Sequence, residues 1–346
     1  MQSNQLNRQV RLAARPNGAP VPTDFELADT PIPTISNGEV LLRSVYLSLD
    51  PYMRGRMSDA KSYAACLEIG DVMLGATVSR IAESKHADYQ IGDWVLSYSG
   101  WQDYQVSNGE GLTALGANPA QPSYALGIMG MPGFTAYMGL LDIGKPKAGE
   151  TLVVAAATGP VGATVGQIAK IKGCRVIGVA GSAEKCLYAF ETLGFDACVN
   201  HKDDDFAAQL ATACADGIDI YYENVGGKVL DGVLPLLNTS ARVPVCGLIS
   251  RYNATSLPDA PDRLSMLMAM ILVKRLTVKG FIIFDDYVEE YPTFAKDMMA
   301  WLQEGKVKYR EQIVDGLENA PEAFMGMLQG KNFGKMVIRV GDDNLA

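Results

Sequence analysis

Histidine is nearly absent from this chain, with only His86 and His201 among 346 residues. A catalytic zinc site commonly combines histidine with cysteine or carboxylate, and a structural one needs clustered thiols. The six cysteines stand apart at positions 66, 174, 186, 198, 214 and 246, with no C-x-x-C pair. The expectation is no metal, no disulfide framework, and acid–base chemistry that does not rest on imidazole. Positive charge is also in short supply. Lys and Arg number 30 against 39 Asp and Glu, a formal net charge of −9, which repels nucleic acid and anionic membrane surfaces. Residues 151–169 carry no charge, but Gly159-Pro160, then Gly162 and Gly166, break that stretch as a membrane-spanning helix. The N-terminal MQSNQLNRQVRLAARP lacks an apolar core and does not read as a signal peptide. A cytoplasmic protein with no nucleic-acid and no membrane partner is expected.

What is present is concentrated between Leu152 and Lys185, LVVAAATGPVGATVGQIAKIKGCRVIGVAGSAEK. Leu152 to Ala155 is a short apolar run of the kind that makes a buried parallel strand. Ala157, Gly159 and Gly162 keep the G-x-G-x-x-G spacing, with alanine in the first place. Small residues there let the backbone turn tightly and approach a pyrophosphate, whose charge is favoured at the following helix N-terminus. A second strand, Arg175 to Ala180, runs into Gly181-Ser182-Ala183-Glu184-Lys185. A site selective for NAD usually places an acidic residue at that strand end to hold the ribose 2′-hydroxyl. The hydroxyl of Ser182 and the ammonium of Lys185 suit a 2′-phosphate instead, so NADPH is the expected cofactor.

The length is a prior for two domains, and the composition, 48% hydrophobic and 20% charged, is that of an ordinary globular enzyme. Up to about residue 128, short β-like runs alternate with Pro, Gly and Asp turns: Glu39 to Val45, Asp71 to Ile81 and Gly92 to Ser97. From Met131 strand and helix alternate. Strands are expected at Ala197 to Val199, Ile218 to Tyr222, Arg242 to Cys246 and Leu276 to Ile282. Helices are expected at Glu184 to Leu193, Asp204 to Cys214, Lys228 to Leu237 and Asp262 to Val273. The last of these is methionine-rich, and Met266, Met268 and Met270 read best as core. The tail from about Gly305 returns to β-like segments. The pattern predicts an α/β chain whose doubly wound parallel sheet, residues 129–304, is inserted into a β-rich domain of residues 1–128 and 305–346.

Six motifs then occur in order: Asp50-Pro51-Tyr52-Met53-Arg54, Met131-Pro132-Gly133-Phe134-Thr135-Ala136-Tyr137, the AATGPVG turn, Glu223-Asn224-Val225-Gly226-Gly227, Cys246 to Asn253, and Asn332-Phe333-Gly334-Lys335. Together they resemble the zinc-independent branch of the medium-chain dehydrogenase/reductase superfamily. Within it they resemble the group of leukotriene B4 dehydrogenase, prostaglandin reductase and alkenal double-bond reductase. The resemblance implies a GroES-like catalytic domain, a Rossmann domain, NADPH and a homodimer. It also implies reduction of the C=C bond of an α,β-unsaturated carbonyl. Curcumin, a flat bis-enone reduced in two steps to its dihydro and tetrahydro forms, is the sharpest expectation for the substrate. A broader 2-alkenal or 15-oxoprostaglandin reductase is the alternative, and a non-catalytic NADPH-binding sensor is an alternative of another class.

Carried over by position, the resemblance gives Gly159, Pro160, Val161 and Gly162 to the pyrophosphate, and Ser182 and Lys185 to the 2′-phosphate. It places Asn224, the loop of Cys246, Gly247, Leu248, Ile249, Ser250 and Tyr252, and Phe281, Ile282 and Ile283 around the nicotinamide half. Asn332 is a further cofactor contact. Members often have tyrosine where this chain has His201, which is expected to contact the phosphate or lie on the surface.

Hydride addition to an enone builds charge on the carbonyl oxygen, and a donor placed there stabilises it. With histidine scarce, the Tyr252 hydroxyl is the first choice for that donor and for protonation. Tyr52, Tyr63, Tyr98 and Met131 are the expected substrate contacts, and Trp101 is either a pocket wall or core packing.

Overall fold

The computed structural model describes residues 6–256 and 263–342. The chain divides into two compact units, Met1–Gly127 with Glu311–Ala346, and Ile128–Arg310. In the first unit, β1 (Leu6–Leu12) pairs antiparallel with β2 (Phe25–Pro31). The strand β3 (Val40–Ser48) is followed by the single helical turn α1 (Met53–Arg56), then β4 (Thr77–Ser84), β5 (Trp94–Ser97), β6 (Tyr104–Ser107) and β7 (Thr113–Gly116). Every residue of β3 except Arg43 is buried, as expected of a central strand covered on both faces. The strand expected from Asp71 starts only at Thr77. A Cβ at Gly75 would lie 2.8 Å from the Leu47 side chain, so the chain there serves close packing rather than a ladder.

The second unit opens with α2 (Met131–Met138), whose entry is set by Pro132 in the first turn and by Gly133. A Cβ at Gly133 would sit 1.9 Å from the Ile128 carbonyl oxygen, so only glycine fits. Strand and helix then alternate: β8 (Thr151–Ala155), α3 (Pro160–Ile171), β9 (Arg175–Ala180), α4 (Ala183–Glu191), β10 (Ala197–Asn200), α5 (Phe206–Ala213), β11 (Ile218–Tyr222), α6 (Gly227–Val233), β12 (Leu237–Val245), α7 (Leu264–Lys274), β13 (Thr277–Gly280), α8 (Ile283–Asp286) and α9 (Tyr291–Gln303). The strands form one parallel sheet in the order β10-β9-β8-β11-β12-β13. Counted from β8 this is the 3-2-1-4-5-6 order of a doubly wound dinucleotide-binding sheet, with the reversal between β8 and β11. Its core includes Val153, Ile177, Val179, Phe206, Tyr221 and Val243.

Three local expectations are corrected. The helix expected to reach Leu237 ends at Val233 and tightens into a 3-10 turn over Leu234–Leu236, because Pro235 supplies no amide to continue it. The methionine helix begins at Leu264, while Asp262 lies outside the described residues. Only Met270 packs on the core with Leu267 and Ile271. Met266 and Met268 are exposed, as are Leu264, Leu272 at 77% and Val273 at 70%. All four residues of the edge strand β13 are exposed too.

The tail returns to the first unit with β14 (Glu311–Asp315), α10 (Ala320–Leu328) and β15 (Lys335–Arg339). Here α10 interrupts the run that was expected to be β-like, and it buries Ala320, Phe324 and Met327 along one face. The strand β15 pairs antiparallel with β3, and β14 lies parallel beside it. The order β14-β15-β3-β4-β5-β7, with β6 on β3, completes a seven-stranded sheet.

Candidate active site

The glycine turn follows β8 directly. Ala156 takes φ 52°, a left-handed conformation unusual for a residue with a side chain. The amide of Ala157 donates to the Val179 carbonyl at 3.0 Å and that of Gly159 to the Ala156 carbonyl at 2.9 Å. Gly159 caps α3 and Pro160 occupies its first turn, where the missing N–H is harmless. A Cβ at Gly162 would lie 2.2 Å from the Ala156 carbonyl oxygen. The turn thus exists only with glycine at 162, and it presents Gly159, Pro160 and Val161 at a helix N-terminus that favours an anion. Gly178 on β9 keeps room for this turn, since a Cβ there would lie 2.8 Å from that of Ala157.

The end of β9 carries the second group. Ser182 caps α4 and its Oγ accepts the Lys185 amide at 3.3 Å. A Cβ at Gly181 would meet His201 Nε2 at 3.1 Å and Lys202 Cε at 3.6 Å, so both side chains fold back over this strand end. Burial lowers the Lys185 ammonium from its ordinary value, and Lys202 adds to the effect. Burial likewise lowers the His201 imidazole, helped by Lys202, Lys228 and Lys185. Four basic side chains therefore crowd one strand end, and their mutual repulsion makes the charged forms of Lys185 and His201 less favourable. Lys202 and Lys228 went unnoticed in the sequence, although Lys202 immediately follows His201 beside the third strand.

The third group follows β11 and β12. Asn224 Nδ2 donates to the Ala155 carbonyl at 2.8 Å, joining the ends of β11 and β8 where the strand order reverses. The buried Glu223 carboxylate accepts the amides of Val225 and Gly226 at 2.7 and 2.8 Å, and burial raises its pKa from the usual carboxylate value. Its carbonyl accepts the amides of Cys246 and Gly247. The Ser250 hydroxyl donates to the Val225 carbonyl at 2.6 Å, and the Ile249 amide to the Asn224 carbonyl at 3.3 Å. The two loops are thus one knitted surface, exposing Leu248 and Ser250. A Cβ at Gly247 would be 3.1 Å from the Tyr252 hydroxyl and 3.6 Å from the Asn224 carbonyl oxygen, so Tyr252 lies across Gly247 beside Asn224. The Cys246 thiol is pushed up to about 12, mainly by desolvation, and stays protonated.

Phe281 and Ile283 bury their side chains, and Phe281 reaches toward Gly139. Their side chains are core, and only Ile282 is half-exposed. Met131 is half-buried at the start of α2.

In the first unit, the chain after β3 turns through Asp50, Pro51 and Tyr52. Lys335, itself buried, places Nζ 2.6 Å from Asp50 Oδ1 and 2.9 Å from the Leu49 carbonyl oxygen. The Ser48 hydroxyl donates to the same carboxylate. Burial, then Asp50, raises the Tyr52 phenol well above its usual value, so it acts as a neutral hydroxyl. The Arg56 guanidinium stacks on both Tyr52 and Tyr63, 5.7 and 5.1 Å from their centroids. Tyr98 also influences Tyr52 electrostatically, and Tyr63 and Tyr98 are exposed. Trp101 is fully buried, stacked on Phe25 at 6.0 Å and edge-on to Phe324; it is core. Asn332 is half-buried and its amide donates to the Gly334 carbonyl at 2.9 Å.

Residues 8–115 match the family described as the N-terminal domain of oxidoreductase, and residues 160–303 the family described as zinc-binding dehydrogenase. The NADPH-dependent curcumin reductase of Escherichia coli (strain K12) is 66% identical over 343 residues, 99% of each chain. The crystal structure of CurA in complex with NADPH from Vibrio vulnificus superposes with a TM-score of 0.95 at 65% identity, covering 97% of this chain and 99% of that one. Prostaglandin reductase 1 of Rattus norvegicus is 43% identical over 327 residues, 93% of this chain and 95% of that protein.

The chain is a medium-chain dehydrogenase/reductase.

Despite the name of its second family model, no group of three or more His, Cys, Asp or Glu side chains among the described residues of this dehydrogenase/reductase is placed to hold a metal ion. No helix among them is long and apolar enough to cross a membrane. The donor set does fit a 2′-phosphorylated dinucleotide. The β9 end runs into Ser182 and Lys185, with Glu184 the acidic residue of that same first turn; His201 and Lys202 fold over the strand end, and the Gly162 position closes the turn that a pyrophosphate requires.

Proposed function

We propose that this chain reduces the C=C bond of α,β-unsaturated carbonyl compounds with NADPH, and that curcumin is its substrate. The observation that carries the reading is identity over nearly the whole chain to the Escherichia coli curcumin reductase, joined to a basic strand end suited to NADPH. When bound, NADPH supplies the hydride for the β-carbon. Ser182 and Lys185 hold its 2′-phosphate, with His201 and Lys202 adding positive charge. Gly159, Pro160, Val161 and Gly162 cradle the pyrophosphate. Asn224, the Cys246–Tyr252 loop, the backbone of Phe281–Ile283 and Asn332 orient the rest.

The Tyr252 hydroxyl donates to the substrate carbonyl as negative charge gathers on its oxygen, then gives its own proton to the enolate and is reprotonated from water. Tyr52, Tyr63, Tyr98 and Met131 contact the substrate, and the Arg56 stack holds two of these rings in place. The free thiols of all six cysteines support a reducing, cytoplasmic setting. The edge of β13, which has no strand partner among the described residues, and the apolar face of α7 support a homodimer in which two copies pair β13 across a two-fold axis.

The deciding experiment incubates the purified protein with NADPH and curcumin and follows product masses. Sequential gains of two and four hydrogens are expected. Turnover of 2-alkenals or a 15-oxoprostaglandin at similar efficiency would replace curcumin with the broader substrate class. No turnover of any enone would leave only an NADPH-binding protein.

A further inference from the structure

Cys186 and Cys198 bring their sulfur atoms to 3.0 Å, although both are free thiols. It is the one contact between cysteines among the described residues. Cys186 lies in α4, four residues after the cap Ser182, and Cys198 lies in β10, three residues before His201. Both are half-buried. Room for Cys198 comes from Gly178 on the neighbouring β9, where a Cβ would stand 3.1 Å from its sulfur. By contrast Cys174 is buried, and its thiol donates to the Lys147 carbonyl. A disulfide holds its sulfurs about 2.05 Å apart, so closure asks for a movement on the order of 1 Å.

We propose that Cys186 and Cys198 are a redox-active dithiol that hydroperoxides oxidise to a disulfide, and that closing this bond weakens NADPH binding. Cys198 donates its S–H toward Cys186, which lowers the Cys186 pKa from its ordinary value and makes it the attacking sulfur. The Cys186 thiolate displaces hydroxide from hydrogen peroxide and becomes a sulfenic acid. The Cys198 sulfur then attacks the Cys186 sulfur, the S–S bond forms, and hydroxide leaves. The two hydroxides take up the two thiol protons. Two thiols are oxidised to one disulfide, and one peroxide is reduced to two waters.

The coupling to cofactor binding follows from position, and it rests on the 2′-phosphate reading above. Ser182 and Lys185 lie in the same helical turn as Cys186, and His201 and Lys202 follow the strand that holds Cys198. Drawing the two sulfurs together pulls the first turn of α4 against β10, shifting one half of the phosphate site against the other.

The test titrates reduced protein with hydrogen peroxide, quenches free thiols, digests the chain and maps peptides by mass, with NADPH affinity measured in parallel. The expected result is a Cys186–Cys198 bridged peptide two mass units lighter than the reduced pair. With it should come a several-fold loss of NADPH affinity that dithiothreitol reverses. Cys186→Ser and Cys198→Ser should bind NADPH like reduced wild type and form no bridge; Cys186→Ser should keep that affinity in peroxide, whereas Cys198→Ser should stop at the Cys186 sulfenic acid. A map without this bridge overturns the dithiol. A bridge that leaves NADPH affinity unchanged overturns the coupling. Reduced protein that fails to bind NADPH refutes the cofactor reading instead, and the peptide map still decides the dithiol.

Discussion

Lys335 and Asp50 form a buried ion pair, Nζ to Oδ1 at 2.6 Å, between residues 285 positions apart. Two of the sequence motifs thereby become one structure. The turn that carries Tyr52 is clamped by the residue that ends the Asn332-Phe333-Gly334-Lys335 segment. Removing one partner of such a pair leaves a buried, uncompensated charge, which costs about 3–5 kcal/mol. Lys335→Met is expected to lower unfolding free energy by roughly that amount, read from urea denaturation. Lys335→Met combined with Asp50→Leu should recover part of the loss. A single variant as stable as wild type would show that the pair is not what holds this turn.

Tyr252→Phe removes one hydroxyl from the loop that crosses Gly247. Turnover on enones should fall on the order of 100- to 1,000-fold, as for a lost donor at a developing oxyanion, while the Michaelis constant for NADPH stays near wild type. Stopped-flow hydride transfer with curcumin checks this, and unchanged turnover would return Tyr252 to a packing role.

Lys185→Ala and Lys202→Ala both remove positive charge from the end of β9. A lost charge-assisted hydrogen bond amounts to about 1.5–3 kcal/mol, or roughly 10- to 100-fold in NADPH affinity. That loss is expected for Lys185→Ala, with little change for NADH. Lys202→Ala should show a smaller loss that added salt erases. Equal losses with NADH and NADPH in both variants would remove the 2′-phosphate assignment.

His201 gives a pH signature. Without an anion, burial and the neighbouring Lys202, Lys228 and Lys185 hold its pKa below the ordinary value, so it is neutral at pH 7. A bound phosphate favours the imidazolium, so binding should take up protons, and NADPH affinity should rise as pH falls from about 7 toward 6. Below about pH 6 the phosphate protonates in turn and the gain ends. Calorimetry in two buffers of different ionisation enthalpy measures the uptake. His201→Gln should abolish it, and equal uptake in that variant would place the titrating group elsewhere.

Leu272→Asp with Val273→Asp puts charge on the exposed apolar face of α7, and Val278→Pro blocks the open edge of β13. Light scattering should report a dimer for wild type and a single chain for either variant. A wild-type mass of one chain would dispose of the dimer.

Much of the second unit was legible because its strands are short apolar runs and its turns carry glycine where no side chain fits. Gly162 shows why: the Ala156 carbonyl fills its Cβ position. The left-handed residue itself is Ala156, and no sequence pattern marks it, since its strain is met by the tertiary setting of the turn. Helix α10 was hidden by its brevity, its proline and Gly326, and it forms because Ala320, Phe324 and Met327 find a core to enter. The exposure of Met266 and Met268 was unreadable for a different reason. Apolar composition says that a surface is to be covered, not by which chain. Within the site, the basic cluster at β9 was half visible, because Lys228 reaches it from an element 43 positions beyond Lys185.

The place of β15 also bears on the order of events at the ribosome. Its partner β3 is made early, yet Val337, Ile338 and Arg339, which pair with Ser48, Leu47 and Tyr46, leave the exit tunnel only after the whole of residues 128–310. The inserted unit has all six of its strands in hand first. Domains generally fold as units during synthesis, so the segment made first is the one that matures last. Until then β3 waits with an open side, and truncated chains ending before Lys335 should be the ones that aggregate or recruit chaperones.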